Sequence, residues 1–326
     1  MAVVIFEIFR YDPEKDQDPY YKKYAVEVDE KTTVIQVLRK IKDKADGSLT
    51  FRKGCGCSIC GICAMRVDGK ARLACKTRIA DMVDIKAAGE HPEVRIDPIS
   101  TAHAIKDLVI DESIFWEQLK RAMPWLNSGR EDSVEPNQMS QEEVDSIDGA
   151  QDCIHCHACT SSCDTAQADP DFLGPEALTK LYRYAKDPRD KSTYERLSAA
   201  TEGNLWNCVR AFTCIDECPK GISPADKIAE LHEMAVDKGV DPGRAARHAQ
   251  HFIHSLRKTG KLDEKMMPIK TLRAGVVGFV PDTIKMVSKG KMPPLFIRKI
   301  DDHKEVWHLV ELAKDVKEAE QEKEND

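Results

Sequence analysis

The chain has 326 residues, enough for two ordinary domains, and its 49 basic and 56 acidic side chains leave a net charge of −7. That balance gives no general attraction to a phosphate backbone, so nucleic acid is not an expected partner. No apolar run approaches the roughly 20 residues of a membrane-spanning helix. The longest candidate, residues 272–280, contains Arg273 and two glycines. The opening MAVVIFEIFRYDPE turns charged at Glu7 and Arg10, without the basic region, apolar stretch and cleavage site of a secretory signal, and none is expected.

The first hundred residues read as strands with one helix. Residues 3–9 and 21–28 are apolar, β-branched runs separated by an Asp- and Pro-rich turn. A helix is expected from Thr33, with Val34, Val37, Leu38 and Ile41 on one face. Residues 64–67 and 72–74 flank Asp68-Gly69, a hairpin signal, and residues 83–85 and 94–96 suggest two more short strands. After about Pro98 helical periodicity dominates, over 104–126, 176–185, 192–200, 224–238 and 242–259. Residues 129–148 are acidic and polar, a surface loop containing a short helix. The chain ends in a charged helix from about His303, with Val306, Leu309, Val310, Ala313 and Val316 as a narrow apolar stripe.

Twelve cysteines fall into three groups and none lies in the last stretch of the chain. Clustered thiols in a long chain without a signal point to metal thiolates in a reducing compartment rather than to disulfides. In the first group, Cys55, Cys60 and Cys63 follow an x4, x2 spacing, and Cys75 comes after eleven more residues. This is the plant-type 2Fe–2S pattern, in which a glycine-rich loop wraps the cluster and a fourth thiolate arrives from a neighbouring strand. A zinc site would favour two separated knuckles instead of three ligands crowded on one loop. Cys57 is left unassigned; Cys55 is preferred as ligand because it keeps the spacing.

The second group, Cys153, Cys156, Cys159 and Cys163, is the bacterial ferredoxin run. The third, Cys208, Cys214 and Cys218, is the same run with Ala211 in place of the second cysteine. In paired runs the fourth cysteine ligates the other cluster. Cys153, Cys156, Cys159 and Cys218 are therefore expected to hold a 4Fe–4S centre. Cys163, Cys208 and Cys214 leave three thiolates, which most simply hold a 3Fe–4S centre; an incompletely ligated 4Fe–4S centre is the alternative. His155 and His157 are read as neighbours that tune potential. Asp164 either opposes reduction of a nearby cluster or points to solvent. No catalytic residue is expected on the chain.

The ordered set of cysteine groups, with CGICAMRVDGKARLACKT (residues 60–77), DPDFLGPEAL (169–178) and CPKGISP (218–224), resembles the iron–sulfur subunit of succinate dehydrogenase and fumarate reductase. The resemblance covers about residues 3–235. It implies an α+β chain: a β-grasp 2Fe–2S ferredoxin domain at 1–101, an α-helical ferredoxin domain with the 4Fe–4S and 3Fe–4S clusters at 102–240, and a helical, partner-binding extension at 241–326. It implies a flavoprotein subunit carrying FAD, a third subunit that is a membrane anchor or cysteine-rich, and a quinone as terminal carrier. The place implied is the cytoplasmic side of the cell membrane, reached through partner subunits.

Two stretches depart from the common quinone-linked pattern. Residues 164–171 carry no tryptophan, and Val209 stands where a histidine often follows the first cysteine of the third run. The long tail, including GKMPPL (290–295), is similar to extensions in members with a cysteine-rich, heterodisulfide-reductase-like partner. The expected function is single-electron relay between FAD and a quinone. A thiol-linked fumarate reductase or heterodisulfide-reductase-like complex is the alternative, and a free polyferredoxin ranks below both.

Overall fold

The computed structural model describes residues 2–85, 91–100, 103–129, 138–240, 243–293, 297–309 and 312. Seven strands occur among them: β1 (Ala2–Arg10), β2 (Tyr20–Val28), β3 (Ala64–Val67), β4 (Lys70–Leu73), β5 (Glu93–Pro98), β6 (Ala104–Lys106) and β7 (Val109–Ile110). The first five form one mixed sheet in the order β2-β1-β5-β3-β4, in which only the β1–β5 pair is parallel. Twelve helices have assigned bounds: α1 (Val34–Lys44), α2 (Ser113–Arg121), α3 (Gln141–Asp145), α4 (Ala158–Ser161), α5 (Asp164–Ala168), α6 (Gly174–Ala185), α7 (Thr193–Glu202), α8 (Thr213–Asp216), α9 (Pro224–Asp237), α10 (Gly243–Thr259), α11 (Met266–Leu272) and α12 (Val280–Ser288).

Alternation sends Val4, Phe6 and Ile8 of β1 to one face, where they are fully buried with Val34, Val37, Leu38 and Ile41 of α1. Each such side chain contributes roughly 1.5–3 kcal/mol by leaving water. At the start of α1 the Thr33 N–H donates to Gln36 Oε1 at 2.9 Å. The sheet with a helix across it, followed by helices, is the α+β architecture expected from the sequence.

Two expected elements differ. Residues 83–85 form no strand; a 3-10 turn over Ile79–Asp81 is closed by the Met82 N–H on the Ile79 carbonyl at 3.0 Å, and the Val83 N–H bonds the same oxygen at 3.1 Å. Residues 104–126 do not form one helix. They begin with the β6–β7 hairpin, and α2 starts only at Ser113. The cause is Asp107, which is 1% exposed and left-handed at φ 48°. Its carboxylate accepts Arg10 Nε at 2.9 Å, Tyr11 N–H at 3.1 Å and Thr50 N–H at 2.8 Å. A buried tertiary ion pair overrides local helical preference.

The chain divides into two units, 1–139 with 146–231, and 140–145 with 232–326. In the first, α6 packs against α2, α4 and α7. Fully buried Arg196 on α7 pairs with Asp190 at 2.7 Å and donates to the carbonyls of Met123 and Trp125. In the second unit, α10 packs on α11, a 3-10 turn spans Arg273–Phe279, and a helix runs over 303–309. Val306 and Leu309 lie on that helix, whereas Val310, Ala313 and Val316 fall outside the described residues, as do Pro294 and Leu295. Among the described residues no helix is long and apolar enough to cross a membrane.

Candidate iron–sulfur centres

The loop from Gly54 to Cys63 folds around sulfur. Cys55 Sγ accepts N–H groups from Cys57 at 3.4 Å, Ile59 at 3.3 Å and Cys60 at 3.4 Å. Cys60 Sγ accepts the Cys55 N–H at 3.4 Å, and Cys75 Sγ, in the turn after β4, accepts the Ser58 N–H at 3.3 Å. Backbone donors favour thiolate, and those of Cys57, Cys60 and Ile59 bring the Cys55 thiol down to about 6. Burial pushes the Cys63 thiol up to about 11. Gly54 is required by space, since a Cβ there would lie 2.9 Å from Cys60 Sγ. Cys57 is exposed; its thiol is raised, chiefly by its hydrogen bond to Cys55.

The other cysteines surround two cavities. Cys153, Cys156, Cys159 and Cys218 line one, which encloses about 360 Å³ of atom-free space, part of it open to solvent. Cys163, Cys208 and Cys214 line the second, of about 400 Å³, together with Ala211 and Asp164. The x2 spacing of the second run places Cys153 and Cys156 on the segment before α4 and Cys159 in that helix, and Cys163 immediately precedes α5. Burial pushes Cys153 up to about 11, Cys156 up to about 12 and Cys214 up to about 11. Cys159 rises well above its ordinary value for the same reason. Thiols this far from ionising need a cationic partner to become thiolates, and iron supplies one. The donor sets therefore fit iron–sulfur clusters.

His155 and His157 both face Glu176 of α6, their Nδ1 atoms 3.1 and 2.9 Å from its two oxygens. The sequence alone does not mark Glu176. Its position next to Gly174-Pro175 reads as the acidic first turn of a helix, and only the fold brings it beside the cysteines. Exposed apolar residues flank two of the sites. Ile59 is 66% exposed in the first loop, and Val209 and Phe212 are 70% and 52% exposed beside the three-cysteine cavity.

A sheet domain with a sulfur-wrapping loop, joined to helices that enclose two cysteine-lined cavities, defines an iron–sulfur electron-transfer protein. Family comparison agrees: the 2Fe-2S iron-sulfur cluster binding domain matches residues 5–117, and the 4Fe-4S dicluster domain matches residues 149–222. The iron–sulfur subunit of 8-methylmenaquinol:fumarate reductase from Wolinella succinogenes is 33% identical over 315 residues, 95% of this chain and 98% of that one. The succinate dehydrogenase iron–sulfur subunit of Paracoccus denitrificans is 36% identical over 236 residues, 72% of this chain and 88% of that one. A chain in the solved Mycobacterium smegmatis Sdh1 complex shares the fold, with a TM-score of 0.65 at 24% identity, covering 74% of this chain and 98% of that one. This chain belongs to the family of iron–sulfur subunits of succinate dehydrogenase and fumarate reductase. It is an electron-transfer subunit of an oxidoreductase, with 2Fe–2S and 4Fe–4S binding domains, in a family that also carries a 3Fe–4S cluster.

Proposed function

We propose that this chain relays single electrons between the FAD of a flavoprotein subunit and a quinone at a membrane-associated partner, on the succinate/fumarate couple. Cys55, Cys60, Cys63 and Cys75 hold the 2Fe–2S centre; Cys153, Cys156, Cys159 and Cys218 the 4Fe–4S centre; Cys163, Cys208 and Cys214 the 3Fe–4S centre. Cys57 stays unassigned. When bound, the clusters supply one-electron chemistry, which divides the two-electron exchange of a flavin into single steps. The chain's own residues fix the order and spacing of the sites and their charge environment. The observation that carries this reading is that cysteines paired by the crossing rule, distant in sequence, line common cavities.

The domains are 1–101, 102–240 and a partner-binding extension at 241–326. The Paracoccus relative aligns over 236 residues, whereas the Wolinella relative aligns over 315, so the latter shares the extension. That relative is named for 8-methylmenaquinol and fumarate, which supports electron flow from a quinol to fumarate. The exposed apolar residues Ile59 and Val209 support docking of partners at both ends of the relay. The complex sits on the cytoplasmic side of the membrane, with this chain held through its partners.

The test is EPR spectroscopy of the natively purified complex, first oxidised, then titrated with succinate, then reoxidised with fumarate. An oxidised 3Fe–4S signal and succinate-dependent reduction of a 2Fe–2S centre are expected. Zinc without iron or labile sulfide, or clusters indifferent to both dicarboxylates, would sink the proposal.

A further inference from the structure

Glu176 lies in the first turn of α6 and is 5% exposed. A carboxylate that deep needs a partner for each oxygen. It has both: His155 Nδ1 lies 3.1 Å from Oε1, and His157 Nδ1 lies 2.9 Å from Oε2. An ionised carboxylate only accepts, so each ring donates its Nδ1–H. His155 and His157 adopt left-handed backbone with φ of 50° and 62°, a conformation unfavourable for residues other than glycine. Something must hold the two rings in place. Glu176 does so from one side, and Phe115 stacks on His157 with centroids 4.2 Å apart.

The same carboxylate lines the cavity with Cys153, Cys156, Cys159 and Cys218. Burial opposes its ionisation, but the hydrogen bonds from His155 and His157 prevail and hold it down at about 2. Lys180, one turn later on α6, carries the opposite charge.

We propose that Glu176 is a positioning residue for electron transfer: clamped between His155 and His157, it keeps a fixed negative charge beside the second centre and lowers the potential at which that centre accepts an electron. This rests on the ligand assignment above. One electron enters the cavity and one leaves; no bond is made and no proton is taken up. The arriving charge is repelled by a carboxylate that is itself 5% exposed and so weakly screened.

The test is an EPR-monitored redox titration of the holocomplex carrying E176Q, which keeps the shape and removes the charge. The second centre is expected to reduce more readily by at least tenfold in equilibrium constant, about 59 mV for one electron. The midpoints of the other two centres and the iron and sulfide content should not move. E176D, which keeps the charge, should stay within threefold of wild type. An unmoved midpoint in E176Q, or an equal shift in E176D, overturns the proposal. So does failure of both E176Q and E176A to assemble the centre, since the carboxylate would then be a structural brace. Cys153→Ser is measured beforehand: if it leaves the second centre's signal intact, the ligand assignment has failed rather than the role of Glu176.

Discussion

Gly61 meets the backbone of Ile154 so closely that a Cβ built on it would stand 2.6 Å from the Ile154 carbonyl oxygen and 3.0 Å from Cys156 Cβ. The loop proposed to wrap the 2Fe–2S centre thus abuts, at this glycine, the loop proposed to open the 4Fe–4S centre. Short separation is what a relay of one-electron carriers requires, and a hydrogen in place of a side chain secures it here.

Gly61→Ala therefore has two expected effects. Gly61 has φ +72°, where any side chain costs about 1–2 kcal/mol, and the clash with Ile154 adds to that. The melting temperature should fall, and the loops should part. Freeze-quench EPR should then show slower electron exchange between the first and second centres. Wild-type melting together with wild-type exchange would mean that the contact sets neither property.

Arg10 organises the approach to the first loop, and pH exposes its role. Its Nη1 lies 2.7 Å from Asp46 Oδ2, which also accepts Lys22 Nζ at 2.7 Å and Tyr24 Oη at 2.8 Å. Burial would raise the Asp46 carboxyl, but Lys22, Ser48, Tyr24 and Arg10 together hold it well below the usual carboxylate range. A depressed acid stabilises the fold above its unfolded value of about 3.9, and that contribution is lost as pH falls through and below that value. Asp46→Asn should destabilise the protein at pH 7 by about 1.5–3 kcal/mol, the usual worth of a hydrogen bond to a charged group. The gap between the two proteins' thermal melts should narrow below about pH 4. A gap constant from pH 7 downward would remove the charge from the explanation.

Ala211 lines the cavity that also holds Cys163, Cys208 and Cys214. A thiolate at this position supplies the ligand that the third run lacks. Ala211→Cys should raise the iron content by about one atom per chain and abolish the oxidised 3Fe–4S signal, replacing it by a signal seen on reduction. Unchanged iron and an unchanged oxidised signal would show that the new thiol does not reach the site.

The elements β1, β2 and α1 are legible because they rest on local rules, two-residue alternation and 3.6-residue periodicity, and the cysteine spacings group the thiols that line each cavity. The misreadings arise where distant residues decide. Nothing near Asp107 announces that it must reach Arg10, 97 residues away, and that bond replaces the expected helix by a hairpin. Residues 83–85 are the local exception, because the Val83 N–H bonds the Ile79 carbonyl four residues back. Glu176, like Asp107, is decided by distant residues. Its neighbours in sequence describe a helix start, while its chemistry comes from His155 and His157. Spacing groups cysteines that share a loop; Glu176 reaches them from another element.

The extension offers the surface that tests its proposed role. Val280, Ile284 and Val287 recur at helical spacing along α12 and are 51%, 64% and 57% exposed. Residues 265–293 carry six basic side chains and one acidic one, a net charge of +5 in a chain whose total is −7. An apolar stripe in a basic setting suits a partner surface that is apolar with an acidic rim. These side chains bury little within the chain, so Ile284→Asp combined with Val287→Asp should leave folding and cluster content intact. The flavoprotein should stay bound, and reduction of fumarate by an artificial dye should persist. The third subunit should be lost on gentle purification, and quinol-dependent turnover should fall at least tenfold, the cost of about 1.4 kcal/mol of binding. Stoichiometric recovery of the third subunit with wild-type quinol turnover would assign the docking surface elsewhere.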